Sequence, residues 1–102
     1  MPKRLERVNQ LVREEISHLL QRELKDPRLG FVTVTEVDVA PDLRSARVYV
    51  SVLGSEADWQ SSLAALDSAK GYIRNWLVPR LRTRAVPHLT FLPDRSMAHA
   101  AR

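Results

Sequence analysis

Between Lys70 and Pro93 the chain carries five bases, Lys70, Arg74, Arg80, Arg82 and Arg84, and no acid. The preceding stretch, Val48 to Ala69, holds three acids, Glu56, Asp58 and Asp67, and no base. Guanidinium and ammonium groups displace counterions from a phosphate backbone whatever its base sequence, so a sorted run of this kind is a candidate RNA-contact surface. Lys3, Arg4 and Arg7 extend the candidate patch from the N-terminus. The competing reading is a solvated helix face with ordinary surface bases, which the lack of any acid within the run disfavours.

Other chemistry is poorly supported. Cysteine is absent, which excludes disulfides, thiolate nucleophiles and cysteine-based zinc sites. His18 lies four residues after Glu14, but two ligands without a third make a poor zinc site, and a surface pair is the better reading. His88 and His99 are distant in sequence, and no Gly-rich phosphate loop, nucleophile motif or triad is present. The expectation is a protein that is no enzyme, takes no metal, cofactor or small-molecule substrate, and acts by binding. Tyr72 and Trp76 have rings able to stack on bases, yet an aromatic at helical spacing belongs to a core, and Trp76 is assigned there. Asp26-Pro27-Arg28 reads as a helix stop followed by a charge pair.

The elements that must position these groups follow from the hydrophobic pattern. With 102 residues, 44% apolar and 27% charged, the chain has material for one domain with a modest core. Its net charge of +4 favours an anionic partner. The longest apolar run, Leu63 to Leu66, is far short of the roughly 20 residues that cross a bilayer, and no signal-peptide core follows the basic N-terminus. Together with the missing cysteines this predicts a cytoplasmic protein that avoids membranes.

Leu5, Val8, Leu11, Val12, Ile16, Leu19, Leu20 and Leu24 recur at steps of three and four, which predicts a helix from Arg4 to Lys25 that stops before Pro27. Phe31 to Val39 reads as a strand in which Val32 and Val34 are even and Val37 and Val39 odd, a parity switch that predicts a bulge. In the next strand Ala46, Val48, Val50 and Val52 share one face, and the short link Ala40 to Arg44 makes the two strands a hairpin. Ser55 and Asp58 have the spacing of a capping box opening a helix through Trp59, Leu63, Leu66, Ile73 and Leu77.

At about 100° per residue from Trp59, Lys70 falls at about 20°, in the middle of the apolar stripe. With Ala69 and Gly71 beside it, the helix is expected to bend at Ala69-Lys70-Gly71 and continue as a second helix from Tyr72 to Arg82; a snorkelling lysine on a straight helix is the alternative. Such a bend would expose a helix N-terminus near Gly71 whose N–H groups favour a phosphate, unless alanine and glycine serve only close packing. Pro79 removes one hydrogen bond of that second helix. His88 to Leu92 reads as a last strand, closed by Pro93.

The order α-β-β-α-α-β predicts a single α+β domain over residues 1–95, with three helices on one face of a three-stranded sheet and a short frayed tail over residues 96–102. This order suits a KH-like (type II) module.

Five segments in order, Glu23-Leu24-Lys25-Asp26-Pro27-Arg28, Phe31-Val32-Thr33-Val34-Thr35, Ala46 to Gly54, Ala69-Lys70-Gly71-Tyr72-Ile73-Arg74 and Val86 to Asp94, resemble the ribosome-binding factor A family. The resemblance spans Arg4 to Ser96. It implies a KH-like bacterial assembly factor, without catalysis, that binds the precursor small ribosomal subunit and assists late maturation of small-subunit rRNA and growth in the cold. It further implies that the Gly-x-x-Gly loop of KH domains is replaced by an Ala-x-Gly kink, matched here by Ala69-Lys70-Gly71. Pro79 and the early end of the chain after Asp94 depart from the family pattern. The expected partners are the small subunit and its precursor rRNA, bound by a monomer through shape and phosphates. Two alternatives are a DNA-binding regulator inserting the basic helix pair into the major groove, and a protein-interaction module that has lost RNA binding.

Overall fold

The computed structural model describes residues 2–81 and 85–96, with side chains from Arg4 onward. Helix α1, Pro2–His18, buries Val12 and Ile16 completely and runs into a π-helical turn, Leu19–Glu23. There the N–H of Leu24 donates to the carbonyl of Leu19, five residues back, at 2.8 Å, and the widened turn keeps both Leu19 and Leu20 in the core. Leu24 is already extended, so the helical run ends two residues before the position expected from Pro27. Asp26 accepts from the backbone N–H and guanidinium of Arg28, each at 2.9 Å, which is the expected stop and charge pair.

Strands β1, Phe31–Val39, and β2, Ser45–Leu53, form the predicted antiparallel hairpin. The register shifts between Val34 and Glu36, leaving Thr35 as the extra residue, and this bulge lets Val34, Val37 and Val39 all face inward despite their mixed parity. On β2 the even residues Ala46, Val48, Val50 and Val52 are buried. Gly54, at φ 144°, turns the chain into the next helix; a Cβ there would collide with the Asp58 carboxylate. That carboxylate accepts from the Ser55 N–H at 2.8 Å while the Ser55 hydroxyl accepts from the Asp58 N–H at 3.2 Å, completing the capping box.

Helix α2 then runs unbroken over 22 residues, Glu56–Leu77, which corrects the expected kink at Ala69, Lys70 and Gly71 and the count of three helices. The error lies in where the stripe was centred. The buried residues are Trp59, Ser62, Ala65, Leu66, Ile73 and Leu77, with Ala69 and Leu63 half-buried against the core. Measured from Trp59, the fully buried ones span about 240° to 360°, so Lys70 at about 20°, beside half-buried Leu63 at about 40°, lies on the rim and is exposed. Ser62, Ala65 and Ala69 are the small residues that let the helix approach the sheet, and a count of large apolar side chains overlooks them. Gly71 faces open space, so it serves neither a bend nor close packing. Its N–H lies inside the helical ladder rather than at a free N-terminus.

Helix α2 ends two residues before Pro79, and Leu81 turns back into the core. Strand β3, His88–Pro93, pairs parallel to β2, giving the sheet order β1-β2-β3 with α2 as the crossover. Both helices share one core with the inner face of the sheet, so the architecture is a two-layer α+β fold with two helices and three strands among the described residues.

Candidate nucleic-acid interface

Lys70 and Arg74 stand one turn apart on α2. The Lys70 ammonium lies 3.1 Å from the Asp67 carboxylate, an acid three residues before the base-only run begins. Such an exposed pair is worth about 0–1 kcal/mol, so a phosphate competes readily for the lysine. Arg74 is half-buried and donates from Nε to the Val86 carbonyl at 3.1 Å, tying the approach to β3 back onto α2.

Arg80 is placed elsewhere. Its Nη1 donates to the Trp76 carbonyl at 2.8 Å, its guanidinium carbon lies 3.3 Å from the Trp76 ring centroid, and its Nε is 3.7 Å from Glu15 of α1. The same indole stacks with His18, the centroids 6.3 Å apart and the planes 21° from parallel. Trp76 is half-buried and packs against the core, as expected from its spacing, while its Nε1 is buried without a hydrogen-bond partner among the described residues. Residues two apart on a helix point about 160° from one another, so Arg74 and Trp76 occupy opposite flanks of α2. The structure thus brings Lys70 and Arg74 together and sets Arg80 apart, over the indole and toward α1. Arg82 and Arg84 lie outside the described residues, as does the side chain of Lys3.

Arg4 and Arg7 are exposed on α1. Further along that helix the bases Arg13 and Arg22, the acid Glu14 and the neighbouring Ser17, His18 and Gln21 line an open depression, with Gln10 donating to Glu14 at 3.3 Å. Because His18 also contacts Trp76, the depression continues into the Trp76 and Arg80 pair. From the sequence His18 and Glu14 are read only as a surface pair, and the other positions go unread beside the apolar stripe; the polar positions at steps of three and four on the other side are the available signal. A guanidinium held flat on a ring keeps its outward N–H groups free of rotational disorder, a geometry suited to phosphate oxygens.

Among the described residues no three histidines or carboxylates gather as a metal site, and no helix is long and apolar enough to cross a membrane. The DNA-binding alternative depended on two helices joined at residues 69–71, and the continuous α2 removes that basis.

Comparison with known proteins gives the family. The family model described as ribosome-binding factor A matches residues 4–102. Ribosome-binding factor A of Thermomicrobium roseum is 50% identical over 94 residues, which cover 92% of this chain and 73% of that protein. The crystal structure of ribosome-binding factor A from Thermus thermophilus superposes with a TM-score of 0.80 at 30% identity, covering 90% of this chain and 97% of that one. A homology model of the Thermus thermophilus factor, fitted into the cryo-EM map of a 30S complex with that factor, superposes with a TM-score of 0.67 at 31% identity over 94% of this chain and 97% of that one. With nearly the whole chain matched by the family model and half of its residues shared with a curated relative, the protein belongs to the ribosome-binding factor A family.

Proposed function

We propose that this protein is a monomeric, cytoplasmic ribosome assembly factor that binds the precursor small ribosomal subunit and assists late maturation of its rRNA without catalysis. The carrying observation is the structural likeness to a factor whose coordinates were fitted into a 30S complex, over 94% of this chain. The two-layer fold with a helical crossover is read as KH-like, built on residues 1–95 with residues 96–102 as a tail; all but Ser96 of that tail lies outside the described residues.

Binding is the mechanism. A protein with higher affinity for one rRNA conformation shifts the population toward it by that difference in affinity and needs no chemical step. Wrongly paired RNA helices persist longer as temperature falls, because barrier crossing slows exponentially, so such a shift matters most in the cold. Contact runs through Lys70 and Arg74 on one flank of α2, Arg80 on the other, and Arg4 and Arg7 on α1, with Arg82, Arg84 and Lys3 as further phosphate ligands.

The test is sedimentation of the tagged protein in lysate of growing cells at moderate salt. It is expected to travel with free small subunits and less with fully assembled ribosomes. Failure to travel with free small subunits would defeat the proposal.

A further inference from the structure

Both helices pack on one face of the sheet, and among the described residues nothing is packed over the other. A solvent-facing sheet surface is ordinarily polar, yet here Phe31 and Leu53 are direct cross-strand partners, 78% and 77% exposed. Tyr49 and Leu92, also paired in register, lie half-buried on the same side. The charges of this face run against those of the chain. Among the described residues Glu36, Asp38 and Asp94 stand on this face against Arg47, on a protein whose net charge is +4. Arg47 is ion-paired with Asp38 at 2.5 Å, and Arg95, the next base, is drawn away by Glu56 and the Trp59 ring of α2.

We infer that the bare sheet face is a docking surface for a Lys/Arg-rich protein segment carried by the small subunit, anchored by apolar side chains on Phe31 and Leu53. The excess of carboxylates repels RNA phosphates and attracts ammonium and guanidinium groups. A second copy of the chain is a poor occupant, because two such faces repel each other. Two exposed apolar side chains also fall well below the roughly 1,000 Å² of buried surface that a stable dimer needs. The molecule is thereby two-sided, with rRNA on the helix layer and basic protein on the sheet. The inference rests on the small subunit being the partner.

The test places a photoreactive diazirine residue at position 53, and separately at position 67, one turn before Lys70 on the same flank of α2, in the full chain mixed with purified small subunits. Position 53 is expected to crosslink to Lys/Arg-rich protein segments and position 67 to rRNA. Crosslinks from position 53 to rRNA or to a second copy, or none while the protein still co-sediments, would overturn the inference and leave the function standing. Loss of co-sedimentation by the unmodified protein would overturn both. In parallel, Phe31→Ser with Leu53→Ser should weaken subunit binding about tenfold at unchanged melting temperature, since neither side chain is in the core. An unchanged affinity would count against the surface.

Discussion

The indole of Trp76 sets the local structure of one basic position. It holds the Arg80 guanidinium 3.3 Å from its centroid and contacts His18, while its own N–H is buried and unpartnered among the described residues. A buried donor without an acceptor is a cost, so Trp76→Phe should leave stability within about 0.5 kcal/mol of the parent, whereas Trp76→Ala should cost about 2–4 kcal/mol through lost packing. Denaturant unfolding measures both. A second residue-scale device joins the two edges of the sheet. The bulged Thr35 donates at 2.6 Å to Asp94, which also accepts from the Ser96 hydroxyl and N–H. The Ser96 hydroxyl first, then that of Thr35, hold the Asp94 carboxyl below the ordinary 3.8. Because the folded value is depressed, this stabilisation is complete above the ordinary value and is lost as pH falls below it. Asp94→Asn should therefore lower the melting temperature at pH 7, with the difference from the parent narrowing below about pH 4.

At the scale of elements the decisive feature is the unbroken α2. If Gly71 sits in open space within a continuous helix, Gly71→Ala should stabilise the protein by about 0.5–1 kcal/mol in thermal or denaturant unfolding. A backbone that needed glycine there would be destabilised instead. Much of the element structure was legible in the chain. The parity switch between Val34 and Val37 announced the bulge, Ser55 and Asp58 announced the cap, and Pro27 announced the end of the helical run, π-turn included, to within two residues. The helix that would not break was illegible for a physical reason. Its inward face is made partly of Ser62, Ala65 and Ala69, and small residues mark a close-packed face without raising its apolar count. The partners of the bases were hidden for another reason, since Asp67 lies just outside the acid-free window and Glu15 arrives from a different helix.

The whole molecule shows a different surface on each layer. The helix layer presents Arg4, Arg7, Lys70, Arg74 and Arg80, in two groups rather than one patch, and the sheet presents carboxylates beside exposed Phe31 and Leu53. The central claim is that the helix layer grips the small subunit through phosphates. It is tested most directly by the salt dependence of affinity for purified small subunits, parent against Lys70→Glu with Arg74→Glu. Neutralised phosphates release counterions, so log K should fall linearly with log salt, and the double variant should bind more weakly with a slope shallower by about 1–2. An affinity indifferent to salt, or a double variant with the parent's slope and affinity, would contradict the account.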